Sequence, residues 1–387
     1  MEQVILWARF WCSAIADTRD TGFFWDERCF WHSGGNYAFT QPVGGLVQPL
    51  ASGGLPEDPE TKRRLKNLMD VTGLTDELTV SSAPEATLDM LQRVHPAAYL
   101  TEFKKLSDAG GGELGLRTPF GKGGFEIAAL SAGLVVEAAR HVGQGKIRNA
   151  YALARPPGHH CLPDFPNGFC LLANIAIAAE ELLATGLAQR IAIIDWDVHH
   201  GNGSEAIFYN RRNVLTLSVH QERNYPMDTG ALEDRGEGDG EGANINTPLP
   251  PGAGHATYID VMDRLILPAL TRFQPDFIFV ACGYDAAVID PLSRMMATAE
   301  TFAVMTEKVA RFADQTCGGK LVLAHEGGYS EVYVPFCGHA TLAALSGSST
   351  EAPDPFAKTF QLRQPGGDMQ AFLDDYVTGI VDKFGLS

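Results

Sequence analysis

Three deficits bound this 387-residue sequence before any motif is read. It is short of positive charge: 30 lysines and arginines stand against 47 acids, for a formal charge of −17. A chain so acidic repels phosphate backbones, which argues against nucleic acid as a direct partner. It has no unbroken apolar run approaching the roughly 18 residues of a membrane span. Its seven cysteines are scattered, odd in number and without a C-x-x-C pair. That distribution argues for free thiols in a reducing compartment, hence a cytoplasmic location, over a disulfide framework. The opening VILWARFWCSAIA ends in an A-x-A pattern at Ala14 and Ala16, but Glu2 gives the wrong leading charge and Arg9 interrupts the apolar stretch. We therefore expect residues 1–20 to be a short extension ahead of the first core strand.

What is abundant is a repeating alternation. Apolar, β-rich runs recur at Ala150–Ala154, Arg190–Asp195, Val214–His220, Asp276–Ala281 and Lys320–Ala324. Helix-length amphipathic stretches lie at Gly124–His141, Leu172–Thr185, Ala256–Phe273 and Ala299–Cys317. Strand-helix alternation with continuously apolar strands predicts an α/β fold, a parallel sheet covered on both faces. The Gly-, Pro- and acid-rich region Asn224–Gly254 reads as one long loop. Within it GEGDGEG imitates a phosphate loop. It follows no strand and opens no helix, and Glu237, Asp239 and Glu241 would repel phosphate, so it reads as a turn. Residues 44–58 form another predicted loop. No composition shift marks a domain boundary: residues 21–350 read as one catalytic domain and 351–387 as an appendage packed on it.

In an open parallel sheet, ligands bind beyond the carboxyl ends of the strands. The residues that follow the apolar runs are unusual there. RPPGHH ends in His159 and His160; IAIID runs into WDVHHGNG; Ser218 and His220, Asp285 in CGYDA, and Tyr329 in HEGGYS complete the set. Asp197 and His199 are two apart, so on an extended segment they point the same way, and Asp285 can add a third ligand. One histidine and two carboxylates leave a position open for water and substrate, as a catalytic zinc site requires, with bonds of about 2.0–2.2 Å; iron or cobalt would accept the same donors. His159 and His160 stand on a stiff Pro-Pro-Gly turn. One of them can act as general base on the attacking water and then as acid toward a leaving amine. Asp195 and Asn202 are the candidates to fix their tautomers. Tyr329 follows two glycines that let its phenol approach a developing oxyanion. Simpler roles compete: Asp285 as a helix cap, Phe169 and Tyr225 as core, Cys161 and Cys282 as buried thiols. His32, His95, His141, His255 and His339 read as ordinary core or surface histidines.

At these residues the sequence resembles the histone deacetylase superfamily, specifically its class II and bacterial histone deacetylase-like amidohydrolase branch. RPPGHH, GFC at Gly168–Cys170, DWDVHHGNG, GYDA, DPLSRM at Asp290–Met295 and EGGY at Glu326–Tyr329 occur in order, over about residues 20–346. The resemblance implies an arginase/deacetylase fold, a single domain with a parallel eight-stranded sheet flanked by helices on both faces. It implies zinc on Asp197, His199 and Asp285, with Asp195 behind His159 and Asn202 behind His160. It implies Tyr329 as the residue polarising the scissile carbonyl. A second metal, potassium, is implied beneath the zinc through Asp195, Asp197, His199, Ser218 and Val219. Gly168, Phe169 and Tyr225 match the walls of the acyl-lysine tunnel, and Leu292 its mouth. The departures are Tyr225 and Tyr284 where phenylalanine is usual, Cys161-Leu-Pro-Asp after the histidine pair, and the opening FFWDERCFWH. The expected activity is hydrolysis of an N-acyl amine such as acetyl-lysine by metal-activated water, with His160 moving the proton. The rivals are the same chemistry on acetylpolyamines or small aryl and alkyl amides, a two-metal ureohydrolase, for which the bridging aspartates are too few, and an inactive acyl-lysine-binding module. Relatives imply a homo-oligomer, dimer or tetramer.

Overall fold

The computed structural model describes residues 21–47 and 54–386. The expected N-terminal extension, residues 1–20, and the middle of the predicted loop at 44–58 lie outside them. Eight strands form one sheet: β1 (Thr21–Phe24), β2 (Thr79–Ser81), β3 (Asn149–Ala152), β4 (Ile191–Asp195), β5 (Val214–Gln221), β6 (Asn244–Leu249), β7 (Phe277–Cys282) and β8 (Leu321–His325). Their spatial order is β6-β5-β4-β7-β8-β3-β1-β2, and every pairing is parallel. The α/β expectation holds, and the five runs picked out in the sequence are the five contiguous central strands β5, β4, β7, β8 and β3.

The strands are continuously apolar because both faces are covered, and successive side chains sort between two cores. In β4, Ala192 and Ile194 belong to one buried cluster and Ile191 and Ile193 to the other. Helices α1 (Glu60–Thr72), α4 (Ala299–Thr316), α5 (Val334–Ser346) and α6 (Gly367–Phe384) feed the first cluster, with Leu65, Phe302, Leu342 and Leu373. Helices α2 (Gly124–Gly143) and α3 (Asn174–Thr185) feed the second. The α2 helix, rich in alanine, packs tightly: a Cβ on Gly133 would stand 2.0 Å from the Pro84 carbonyl oxygen. The chain after residue 350 joins the first core through Phe360, Val377 and Ile380.

Two expectations need correcting. Asn224–Gly254 is not all loop, because Asn244–Leu249 is edge strand β6, paired with β5 from Asn244↔Thr216 to Leu249↔Gln221. Its glycine-rich flank hid it, and it contains a proline, which an edge strand tolerates. The stretch Ala256–Phe273 is helical, but it runs as His255–Val261, a π turn at Met262–Ile266 and Leu267–Phe273. GEGDGEG forms a turn around a short 3-10 segment at Gly238–Gly240, as expected.

A fully buried ion cluster ties the layers together. Arg155, just past β3, meets Glu57 (Nε to Oε1, 3.0 Å) and donates to the carbonyls of Cys29 (3.1 Å), His32 (3.0 Å) and Glu57 (3.2 Å). Lys62 of α1 reaches the same Glu57 oxygen at 3.3 Å.

Candidate active site

The chain leaves β4 toward β5 on one side of the sheet, whereas β7 and β8 continue on the other. The gap between β4 and β7 is therefore the point where strand order reverses, the place an open sheet offers a ligand. Asp195 is the last residue of β4, in register with Ala281 on one neighbour and Ser218 on the other. Beyond it the backbone bends instead of staying extended as the two-residue spacing assumed. The aspartates cause the bend. Asp195 Oδ1 accepts from Asp197 N at 3.1 Å, and Asp197 Oδ1 accepts from His199 N at 2.9 Å. These are local side-chain-to-backbone turns of the kind aspartate favours. The turn still aims both side chains at one point: His199 Nδ1 lies 3.1 Å from Asp197 Oδ1 and 3.0 Å from Asp285 Oδ2. Asp285 arrives from the end of β7 and is locked by Val198 N on its other oxygen at 2.8 Å. Its role is thus not that of a helix cap.

Asp197, His199 and Asp285 offer three ligand atoms within 4.8 Å of one another, all buried. Asp285 Oδ2 is buried without a hydrogen-bond donor of proper geometry. Burial opposes a charge on His199, yet the Asp285 and Asp197 carboxylates hold it protonated up to about 10. Burial and the facing Asp197 charge raise Asp285 to about 6. Two carboxylates and an imidazole nitrogen converging in a dry site attract a cation, and the donor set suits a divalent metal such as zinc. The cage is backed by bare main chain: a Cβ on Gly327 would lie 2.2 Å from Asp285 Oδ2 and 2.6 Å from Asp197 Oδ2, and one on Gly283 2.1 Å from Asp197 Oδ2.

The histidine pair sits beside this cage, with ring centroids 3.9 Å apart. His159 Nδ1 is 2.9 Å from Asp195 Oδ2, and His160 Nδ1 is 2.8 Å from Asn202 Oδ1. The two environments push the rings apart in charge. Burial disfavours a proton on His159, but the Asp197 and Asp195 carboxylates overcome it and raise its pKa well above the usual histidine range. Burial, with the charges of His159 and His199, lowers His160 well below it. One neutral base beside one held cation is the division that acid–base work needs.

Tyr329 completes the site from the segment after β8. Its backbone N–H donates to Asp290 Oδ2 at 2.7 Å, and its ring lies 5.7 Å from Phe169 and 6.3 Å from His199. Burial and the Asp285 charge raise its phenol well above the usual tyrosine value, so the hydroxyl keeps its proton and can donate. A cavity of about 160 Å³ opens over these groups. Gly168, Phe169, Tyr225 and Leu292 line it, together with His160, His199 and Tyr329.

Several residues that position the site carried no role in the sequence reading. Glu326 Oε2 accepts from Gly158 N (2.7 Å) and His159 N (3.1 Å), which fixes the turn bearing the histidine pair. Asp290 accepts from both Tyr329 N and Leu292 N. The signal was present, since both lie inside quoted motifs, EGGY and DPLSRM. Asn167, which accepts from the Tyr225 hydroxyl, and the cavity residues Thr40, Arg117 and Asn224 sit on loops with no such signal. Conversely, His200 and His220 do not line the cavity. Their rings lie 4.8 Å apart, tilted at 49° to each other, and His200 is spent on Thr229 and Glu205. Ser218 faces Asp195 across the ladder and engages His220 at 2.9 Å, while Val219 packs in the core. Cys161 and Cys282 are buried, and burial raises both thiols, Cys282 to about 12. They are structural, and all six described cysteines are free.

The family model for the histone deacetylase domain matches residues 55–345. The chain belongs to the histone deacetylase family. A histone deacetylase-like amidohydrolase of Pseudomonas aeruginosa is 52% identical over 95% of this chain and 97% of its own length. An Archaeoglobus fulgidus protein named probable deacetylase is 38% identical over 77% of this chain and 84% of its own. Among solved structures, the HDA15 HD domain superposes with a TM-score of 0.77 at 30% identity, covering 95% of this chain and 98% of that one. The histone deacetylase family is one of deacetylases and amidohydrolases, and the arginase/deacetylase fold is shown by the eight-stranded sheet and this superposition. Among the described residues no helix is long and apolar enough to cross a membrane.

Proposed function

We propose that this deacetylase-family chain is a zinc-dependent hydrolase of linear amides, removing an acyl group from an N-acyl amine such as acetyl-lysine. The observation that carries the reading is the convergence of buried Asp197 and Asp285 on His199, which lines a cavity whose walls also present a neutral His160 and a protonated Tyr329. Zinc held by those three residues supplies Lewis acidity to the carbonyl and to water there. The chain's own groups do the rest. Phe169 and Tyr225 flank the acyl-amine stem and exclude water. Neutral His160, its ring fixed by Asn202, takes the proton of the attacking water and returns it to the leaving amine. His159, held charged by the Asp197 and Asp195 carboxylates, makes the potential around the developing negative oxygen more positive and so stabilises it, and the Tyr329 hydroxyl donates to that oxygen.

Potassium through Asp195, Ser218 and Val219, a cytoplasmic location and a homo-oligomer belong to the same reading. Activity in K⁺ against Na⁺ buffer and light scattering of the purified chain test the first and last. The test of the function itself is amine release from an acetyl-lysine reporter, acetylated polyamines and small anilides, with Asp285→Ala as control. Turnover that vanishes in the control is the expected result. One zinc per chain with no turnover on any amide would replace the reading with an acyl-lysine-binding role.

A further inference from the structure

Apart from the histidines of the metal and proton-transfer sites, the one ionisable side chain of permanent charge among the cavity's described lining residues is a cation, Arg117. In a chain with a formal charge of −17, this guanidinium forms no ion pair with a described carboxylate. Its position is fixed from the backbone. Phe169 N donates to the Arg117 carbonyl at 3.0 Å, and Gly168 N to that of Leu116 at 3.0 Å, so the Arg117 segment is laced to the cavity wall. Arg117 adopts φ +59°, a conformation that side-chain-bearing residues rarely occupy. Its guanidinium carbon stands 5.3 Å from the centroid of the Tyr225 ring, whose hydroxyl is itself held by Asn167. Over that ring, and engaged with the Tyr225 hydroxyl, the guanidinium is held in a defined place, and its five donors exceed what one hydroxyl can take. His160 and His199 are buried at the cavity floor, whereas Arg117, Tyr225 and Leu292 are half-exposed. The arginine therefore meets the part of a substrate that emerges from the cavity, on the amine side of the scissile bond.

We propose that Arg117 is a specificity-determining residue that selects acylated amines bearing a carboxylate on the amine portion. Free or C-terminal Nε-acyl-lysine and other ω-acylamino acids are that class. The inference rests on the amide-hydrolase reading and narrows it. A guanidinium recognises a carboxylate by paired, charge-assisted hydrogen bonds, and it repels the ammonium groups of an acylated polyamine. Residues that do no more than pack on Tyr225 would not distinguish a carboxylate from a carboxamide of the same shape.

The test separates binding from turnover. Uncleavable ketone analogues of acetyl-lysine, one with a free α-carboxylate and one with an α-carboxamide, are titrated against the zinc-loaded protein by calorimetry. Acetyl-lysine, its carboxamide and N-acetylputrescine are assayed as substrates in parallel. The wild-type protein is expected to prefer the carboxylate by about tenfold in Kd and, through KM, in kcat/KM. Arg117→Gln, which accepts the same backbone conformation at the same cost, brings the carboxylate-to-carboxamide ratio to about one. Arg117→Lys keeps the sign of the preference, and Arg117→Glu inverts it in favour of the acetylated diamine. Equal binding of the two ketones by the wild-type protein, or a preference that survives in Arg117→Gln, would overturn the proposal. Absence of hydrolysis with the ketone preference intact would instead overturn the amide-hydrolase reading alone.

Discussion

Replacing Tyr329 by phenylalanine deletes a single oxygen, and the structure makes its consequence calculable. The backbone of residue 329 stays tied to Asp290, and the ring keeps its edge-on contact with Phe169 at 5.7 Å, so neither depends on the hydroxyl. That hydroxyl makes no hydrogen bond to another described side chain, so nothing in the fold should loosen. What is lost is one donor directed at the oxyanion. Removing such a donor costs about 2.7–4 kcal/mol of transition-state stabilisation, or roughly 100- to 1000-fold in kcat. Because the ground-state carbonyl gains little from the same contact, KM should move by less than about threefold. Steady-state kinetics on an acetyl-lysine reporter, with zinc content and melting temperature of the variant measured alongside, gives the answer. A Tyr329→Phe enzyme with normal zinc and kcat within a few-fold of wild type would refute the assignment of Tyr329 as oxyanion donor.

Gly327→Ala should lose metal before it loses fold, since its Cβ would stand 2.2 Å from Asp285 Oδ2. Elemental analysis showing full zinc occupancy would contradict the cage as described. Asp195→Asn removes the charge that holds His159 and should lower activity by about 10- to 100-fold, with circular dichroism reporting an unchanged fold. Chelation with dipicolinate should abolish turnover and zinc should restore it, whereas resistance to complete metal removal would exclude the metal-assisted mechanism. Burial works against the Glu57 carboxylate, but Arg155 and Lys62 hold it down at about 2, against 4.5 for an ordinary glutamate. A depressed carboxylate stabilises above its unfolded value and ceases to do so as pH falls, so its contribution should disappear between about pH 4.5 and 2. Denaturant titrations should show that loss in the wild type and a flatter profile in Glu57→Gln.

The central strands and nearly all the chemistry could be read from the sequence because they share one physical origin. A buried parallel strand is a continuous apolar run, and polar residues at its carboxyl end have few reasons to be there except a site. That argument found β3, β4, β5, β7 and β8, and with them Asp195, Asp197, Asp285 and Tyr329. It failed for β6, whose edge position and proline disguise it. It also missed β1 and β2, which are too short for periodicity to register. The geometry after Asp195 was right in outcome and wrong in cause, because side-chain hydrogen bonds to the backbone, invisible to a spacing rule, replace the extended conformation. Glu326 and Asp290 stand inside legible motifs, but Glu326 reaches Gly158 and His159 and Asp290 reaches Tyr329 through backbone N–H groups distant in sequence, and Arg117 is brought to the cavity by a loop. No local pattern encodes such contacts.

The Arg155 cluster has a mechanical consequence for the substrate. Arg155 grips the carbonyls of Cys29 and His32 and the Glu57 carboxylate, while the chain running on from it carries His159 and, at the cavity floor, His160. The segment after His32 leads to the hairpin of Tyr37–Ala38 and Gln41–Pro42, whose turn places Thr40 at the rim. Tyr37 is in turn joined through Glu113 to Thr118, next to Arg117. Rim and floor are thus two ends of one braced block. The chain length over which a substrate can reach from reacting carbonyl to rim is gauged by a buried guanidinium that the substrate never touches.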